Sequence, residues 1–167
     1  SETFFLSDYQ SPLGPYILGR SQLGVVSLKN EERAQFFIDR WERANISVKY
    51  DVAHNLELKE QLDAYFSGQL RQFTVPLDLR GTPFQRQVWD ILRMIPWGET
   101  RSYGRIAAVL GHPRAARAVG RAIGTNPISI VVPCHRVIGS NGALTGYGGG
   151  LGRKEALLEL EGSKAAH

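Results

Sequence analysis

The sequence predicts an α/β protein of the α+β kind in two parts, an N-terminal antiparallel sheet with helices and a C-terminal winged helix-turn-helix. Three observations predict it. Short extended segments separated by turn residues fill the first thirty positions. Amphipathic helical patterns dominate the remainder. Charge divides near Arg80: Ser1–Leu79 holds 8 basic and 11 acidic residues, a net of −3, whereas Arg80–His167 holds 12 and 5, a net of +7. A chain of 167 residues can bury a core in one domain or in two small ones. The charge break places the boundary at 1–79 and 80–167.

In order, Thr3–Leu6, Tyr16–Leu18 and Val25–Leu28 read as strands, separated by Ser-Pro-Leu-Gly-Pro and glycine-containing turns. Their spacing suits an antiparallel sheet. Glu31 to Ala44 carries Ala34, Phe37, Ile38 and Trp41 on one helical face, and Leu56 to Phe66 does the same with Leu58, Leu62, Tyr65 and Phe66. Phe73–Leu79 reads as a strand or an extended linker. This half carries no catalytic constellation, and its expected role is support.

Thr82-Pro83-Phe84-Gln85 has the form of a capping box with proline in the first turn. The helix behind it should bury Phe84, Val88, Ile91, Leu92 and Ile95, and break at Pro96-Trp97-Gly98. Ser102 caps a short helix that stops at Gly111-His112-Pro113, and a second runs from Arg114 to about Ile123. Two short helices with a glycine-containing turn make a helix-turn-helix candidate. Arg114, Arg117 and Arg121 fall on one face of the second helix, while Ala115, Val119, Ala122 and Ile123 face inward. With Ala118 and the nearby glycines, that face could lie close against a phosphate backbone; a solvated basic face reads equally from the same pattern. Val137–Gly142 reads as a hairpin with an Asn-Gly turn, the wing. Tyr147–Gly150 leads into a last helix, Leu151 to Glu161, and Ser163–His167 reads as a disordered tail.

No apolar run reaches membrane-spanning length, and the N-terminus lacks the basic start and apolar core of a signal peptide. A single cysteine cannot form an internal disulfide, so a reducing, cytoplasmic location is expected. Four histidines and one cysteine show no metal-ligand spacing, and neither a metal nor a cofactor is expected. The basic second half favours a polyanion partner.

The chemistry concentrates at Asn126–Arg136, NPISIVVPCHR. The aliphatic run Ile128–Val132 reads as a buried strand that Pro133 terminates, leaving Cys134 beside His135 and Arg136. A cysteine of ordinary acidity is only a few per cent thiolate at neutral pH, so a nucleophilic role needs a base, and the base needs an orienting group. Neighbouring strand residues point to opposite faces, so Cys134 and His135 can meet only across a turn after Pro133 or through a water molecule. Glu161 is a carboxylate in the last turn of its helix, opposed to the macrodipole and leaning toward the packed face. It is the best orienting candidate. A cysteine hydrolase would also need an oxyanion hole and an acyl pocket, and a plain winged-helix transcription factor would leave Pro-Cys-His-Arg and Glu161 without a purpose.

P-C-H-R-V at Pro133–Val137 resembles the acceptor signature of the O6-alkylguanine-DNA alkyltransferases. The resemblance continues through G-T-P-F-Q-R-Q-V-W at Gly81–Trp89, S-Y-G at Ser102–Gly104 and A-A-R-A-V-G at Ala115–Gly120. Asn126-Pro127, Gly146-Tyr147 and K-E-A-L-L-E-L-E-G complete it. The basic half is covered in order, most like the short bacterial form without an attached transcriptional-adaptor domain. The resemblance implies a ribonuclease H-like fold for residues 1–79 and DNA binding with alkyl acceptance for 80–167. It also implies suicide repair of O6-alkylguanine in double-stranded DNA after the nucleotide is flipped out, and leaves O4-alkylthymine open as a second substrate. A nucleoid-associated protein, monomeric in solution, with no membrane partner and with scope for cooperation on DNA, is what it leads us to expect.

By the same resemblance Cys134 is the acceptor, His135 its water-linked base, Glu161 the orienting carboxylate, and Asn126 a support for the thiolate and its turn. Arg117 would fill the gap in the base stack and Tyr103 press on the neighbouring phosphate, with Ser102, Arg114, Ala118 and Arg121 completing the DNA-facing surface. Tyr147, Gly148 and Ser129 would line the pocket, and backbone groups near Val137 would read the flipped base. Two positions depart from other members: Gly148 stands where some carry serine, and Ser129 where some carry proline. The N-terminal metal ligands of some members are absent.

Overall fold

The computed structural model describes residues 2–139, 141–144 and 146–163. The tail expected after Gly162 therefore lies, beyond Ser163, outside the described residues. The chain divides into two compact units between Leu79 and Arg80.

In the first unit, β1 (Thr3–Ser11), β2 (Gly14–Arg20) and β3 (Val25–Asn30) form the expected antiparallel array. The β1–β2 turn is closed by Ser11, whose hydroxyl donates to the Gly14 carbonyl (2.7 Å) and accepts from Leu13 N–H (3.0 Å). Helix α1 (Glu31–Arg43) buries Ala34, Phe37 and Ile38, and places acidic residues in its first turn and basic ones in its last, as the macrodipole favours. A fourth strand, β4 (Ser47–Tyr50), returns beside β1 and pairs parallel to it, giving the order β3-β2-β1-β4. The sheet is thus mixed and not purely antiparallel. Four residues, all exposed but the half-buried Val48, carry too weak an alternation to predict β4, but a strand–helix–strand crossover returns a strand in the parallel sense. Helix α2 (Leu56–Phe66) buries Leu58, Leu62 and Tyr65. The segment before Leu79 is extended, with one parallel bridge, Leu77 to Val25, covering the open edge of β3.

In the second unit, α3 (Pro83–Arg93) starts at a complete capping box: Thr82 Oγ1 accepts from Gln85 N–H (3.1 Å), and Gln85 Oε1 accepts from Thr82 N–H (2.8 Å). Val88, Leu92 and Ile95 are buried, while Phe84 and Ile91 are only half-buried. The largest buried side chain is Trp89, whose indole N–H donates to the Ala122 carbonyl (2.9 Å). Helix α4 (Tyr103–Val109) is capped by Ser102 and ends at Gly111 (φ 78°). There the amides of Gly111 and His112 donate to Ala108 and Ala107, the double bond of a Schellman turn. Helix α5 (Ala116–Gly124) completes the helix-turn-helix and buries Val119, Ala122 and Ile123.

The second helix begins two residues later than expected, because Ala115 N–H closes a turn onto His112 and leaves Arg114 outside. The wing also differs. The Asn-Gly turn forms, with Gly142 at φ 81°, but β6 (Val137–Ile138) pairs parallel with β5 (Arg101–Ser102). Ser140, within the expected hairpin, lies outside the described residues. Helix α6 (Leu151–Leu160) closes the unit.

Replacing Thr82 by alanine should lower the stability of the second unit by about 1 kcal/mol, the usual cost of losing an N-cap, measured as a shift in its urea midpoint.

Candidate functional site

The expected strand Ile128–Val132 does not form. Ile128, Ile130 and Val132 are buried, yet the backbone turns twice within seven residues. Val131 N–H donates to the Ser129 carbonyl (2.7 Å) around Ile130, whose φ is 71°. Cys134 N–H donates to the Val132 carbonyl (2.8 Å) around Pro133 (φ −80°, ψ 65°). These are γ-turns, the first of the strained positive-φ kind. A β-branched residue at positive φ costs roughly 1–3 kcal/mol and persists only where its surroundings dictate it. Here Asn126 dictates it: its side-chain amide donates to the Val132 carbonyl (2.9 Å) and its side-chain oxygen accepts from Ile128 N–H (3.0 Å). A short apolar run cannot distinguish a strand from a buried loop. The loop won because a side chain, and not a neighbouring strand, satisfies its backbone.

After Pro133 the chain makes one 3₁₀ turn, Cys134–Arg136, the turn that a meeting of Cys134 and His135 requires. All three side chains are buried, and that of His135 is 0% exposed. His135 Nε2 lies 2.8 Å from Glu161 Oε2. Arg136 Nε donates to Glu161 Oε1 (2.7 Å), its Nη2 to Glu161 Oε2 (2.9 Å), and its Nη1 to the Ile95 carbonyl (2.6 Å). The carboxylate that seemed misplaced at the end of α6 is the centre of a buried cluster.

Electrostatics fix the protonation. Burial alone would raise the Glu161 pKa, but the hydrogen bonds and charges of His135 and Arg136 outweigh it and bring the carboxyl down to about 2. Burial, helped by the charges of Arg136 and Lys154, pushes the His135 pKa down and outweighs the hydrogen bond and charge of Glu161, which push it up. An ionised Glu161 only accepts, so Nε2 of a neutral His135 must carry the proton. Nδ1 is then a free lone pair, and it is buried without a hydrogen-bond partner among the described groups.

Lys154 is a site residue that sequence reasoning missed. It is 0% exposed and donates to the Val137 carbonyl (2.5 Å). Burial holds its pKa down to about 8, with the nearby charge of Cys134 acting the other way. One signal was available: residues 154, 157, 158 and 161 share a helix face, so two charged residues sit on the buried stripe of α6 with Leu157 and Leu158. Arg136 is the other omission: its place beside Cys134 and His135 is plain in the sequence, its pairing with Glu161 is not.

The remaining candidates are spread over the same unit. Ser129 is buried in the Asn126 loop. Tyr147 is half-buried, Gly148 exposed, and a Cβ on Gly149 would stand 2.7 Å from the Tyr147 ring, so a side chain there would displace that ring. The Val137 carbonyl is already engaged by Lys154 and retains one lone pair. Arg117 and Arg121 are exposed on α5, with Ala118 half-buried between them, and Arg114 is exposed ahead of the helix. Tyr103 is half-buried in the first turn of α4. Ser102 accepts from Arg105 N–H (3.0 Å). Among the described residues no group of three or more His, Cys, Asp or Glu side chains could hold a metal ion, and no helix is long and apolar enough to cross a membrane.

Residues 83–163 match the family model for the DNA-binding domain of 6-O-methylguanine DNA methyltransferase, and residues 6–79 match that for its ribonuclease-like domain. A methylated-DNA–protein-cysteine methyltransferase of Mycobacterium tuberculosis is 67% identical over 155 residues, 93% of this chain and 90% of the relative. One from Methanosarcina acetivorans is 46% identical over 157 residues, covering 93% and 96%. The crystal structure of M. tuberculosis OGT in complex with DNA superposes with a TM-score of 0.81, covering 95% of this chain and 92% of that one, with 49% identity at the superposed positions.

Stability should fall on acidification in two stages. His135 has a folded pKa below its unfolded value, so its contribution is lost as pH drops below about 6.5, where the unfolded chain takes up the proton first. Glu161, at about 2 against an ordinary 4.5, withdraws its own contribution as pH falls below the ordinary carboxylate range. Urea midpoints between pH 8 and 3 should show both stages, and a flat profile from 7 to 5 would contradict the neutral histidine. Glu161→Gln, which strands the Arg136 charge, should cost about 3–5 kcal/mol at pH 7.

Proposed function

The chain belongs to the 6-O-methylguanine DNA methyltransferase family, and we propose that Cys134 is the residue on which it accepts the alkyl group. The protein is a DNA-repair enzyme of the methylated-DNA–protein-cysteine methyltransferase kind. One observation carries the proposal: beside its only cysteine stands a buried histidine oriented by a carboxylate through Nε2 and left with a free Nδ1.

The reaction follows from that orientation. The Cys134 thiol passes its proton through a bridging water molecule to His135 Nδ1. The thiolate attacks the alkyl carbon, an S–C bond forms, and the C–O6 bond breaks with its electron pair going to the guanine oxygen. The proton held by the histidine returns to the base and restores guanine. A thioether has no easy leaving route, so each molecule acts once. Within a stacked pair the alkyl carbon is out of reach of a nucleophile, and extruding the nucleotide costs a few kcal/mol. Arg117, exposed on a helix with small neighbours, is suited to the vacated space; Tyr103 and Ser102 to the adjoining phosphates; Arg114, Ala118 and Arg121 to the backbone on either side. Tyr147, Gly148 and Ser129 would wall the pocket, and the remaining lone pair of the Val137 carbonyl would accept from the base. Monomeric action inside the cell, at the nucleoid, accords with this chemistry, and O4-alkylthymine is a further candidate substrate.

Intact-mass measurement after mixing the protein with a duplex holding one O6-methylguanine should show stoichiometric gain of one methyl. Cys134→Ala should bind the duplex and gain nothing. Tight binding by the unaltered protein with no mass change would turn the reading to damage sensing without transfer.

A further inference from the structure

The mechanism above asks His135 for a free lone pair, yet an imidazole against a buried carboxylate ordinarily tends to hold a second proton. An opposite charge within hydrogen-bond distance favours the charged form of both partners. The groups that bear on His135 are few. From α6 come Glu161, which favours protonation, and Lys154, which opposes it. From the same 3₁₀ turn comes Arg136, which also opposes it. From the segment just past α3, the Ile95 carbonyl holds Arg136 Nη1 at 2.6 Å.

Arg136 takes both oxygens of the carboxylate, Oε1 through Nε at 2.7 Å and Oε2 through Nη2 at 2.9 Å, and Oε2 is also the oxygen that meets His135. A guanidinium is ionised at every relevant pH, and its planar fork matches a carboxylate. We propose that Arg136 is a positioning residue that sets the basicity of His135: it neutralises Glu161 before the imidazole meets it. Glu161 is thereby left able to orient His135 without charging it. His135 stays the Nε2–H tautomer, ready to take the Cys134 proton. The inference rests on the proposed role of His135 as the base. It gives a purpose, beyond satisfying the carboxylate oxygens, to an arginine buried beside a histidine.

The test compares the unaltered protein with Arg136→Gln and Arg136→Lys in two measurements. The first is the single-turnover rate of methyl transfer from an O6-methylguanine duplex between pH 5.5 and 9.5. The second is the protonation of His135 followed by ¹⁵N NMR. In the unaltered protein His135 should remain neutral, with the proton on Nε2, at pH 6.5. In Arg136→Gln the acid limb of the rate and the NMR titration should move up together by about one unit or more, so that roughly tenfold more rate is lost at pH 6.5 than at pH 9. Arg136→Lys should recover part of that shift. A loss equal at all pH values would reduce Arg136 to a structural tie and overturn the proposal. So would a His135 already protonated at pH 7 in the unaltered protein, a result that requires no variant to fold. If no methyl is transferred by any form, the functional reading fails, while the NMR titration still decides the role of Arg136.

Discussion

A carboxylate withdrawn from water must be met by enough charge and hydrogen bonding to offset its lost hydration, and Glu161 at 2% exposure is such a group. Both oxygens are occupied, by three donors drawn from two adjacent residues. Once Glu161 is fixed there, the last turn of α6, the 3₁₀ turn at Cys134–Arg136 and the end of α3 hold a common geometry. The imidazole tautomer follows from the carboxylate being ionised, and the free Nδ1 follows from the tautomer. Few other interactions in the chain have so many consequences downstream.

Lys154 and Asn126 do for the backbone what Arg136 does for the carboxylate. Lys154, from the same helix as Glu161, holds the Val137 carbonyl just after the turn; Asn126 holds the Val132 carbonyl just before it. Cys134, the proposed acceptor, is thus bracketed by side-chain contacts to main-chain atoms on either side. Such a bracket accounts for Ile130 at φ 71°: the positive-φ γ-turn there would not be expected in a free peptide and is held by the Asn126 side chain. Strain of this kind is a cost accepted to aim one residue.

Much of this was legible. Thr82, Gln85 and Ser102 declared helix starts because caps are local, set by residues within three positions of one another. Glu161 stood out because it broke two local rules at once, sitting in the last turn and on the packed face. The failures were non-local. Ile128–Val132 has strand composition, but whether an apolar run becomes a strand depends on a partner, and here a side chain two residues before the run took that role. Strand β4 is visible only once the α1 crossover is in place. Trp89 was passed over because the spacing favoured its neighbours, while its burial comes from the bond its indole makes to α5. Lys154 was hidden by charge, since lysines on helices are usually solvated.

Arg136 reaches back 41 positions to Ile95 and forward 25 to Glu161. The base at His135 therefore cannot be assembled by any local stretch. It comes into being only when the start, middle and end of the second unit have all arrived, and a chain halted or cut before Glu161 would display the Pro-Cys-His signature with an inert thiol. In the single-use chemistry proposed for Cys134, this arrangement would double as quality control: reactivity is withheld until folding is complete, and a half-made molecule cannot squander its cysteine.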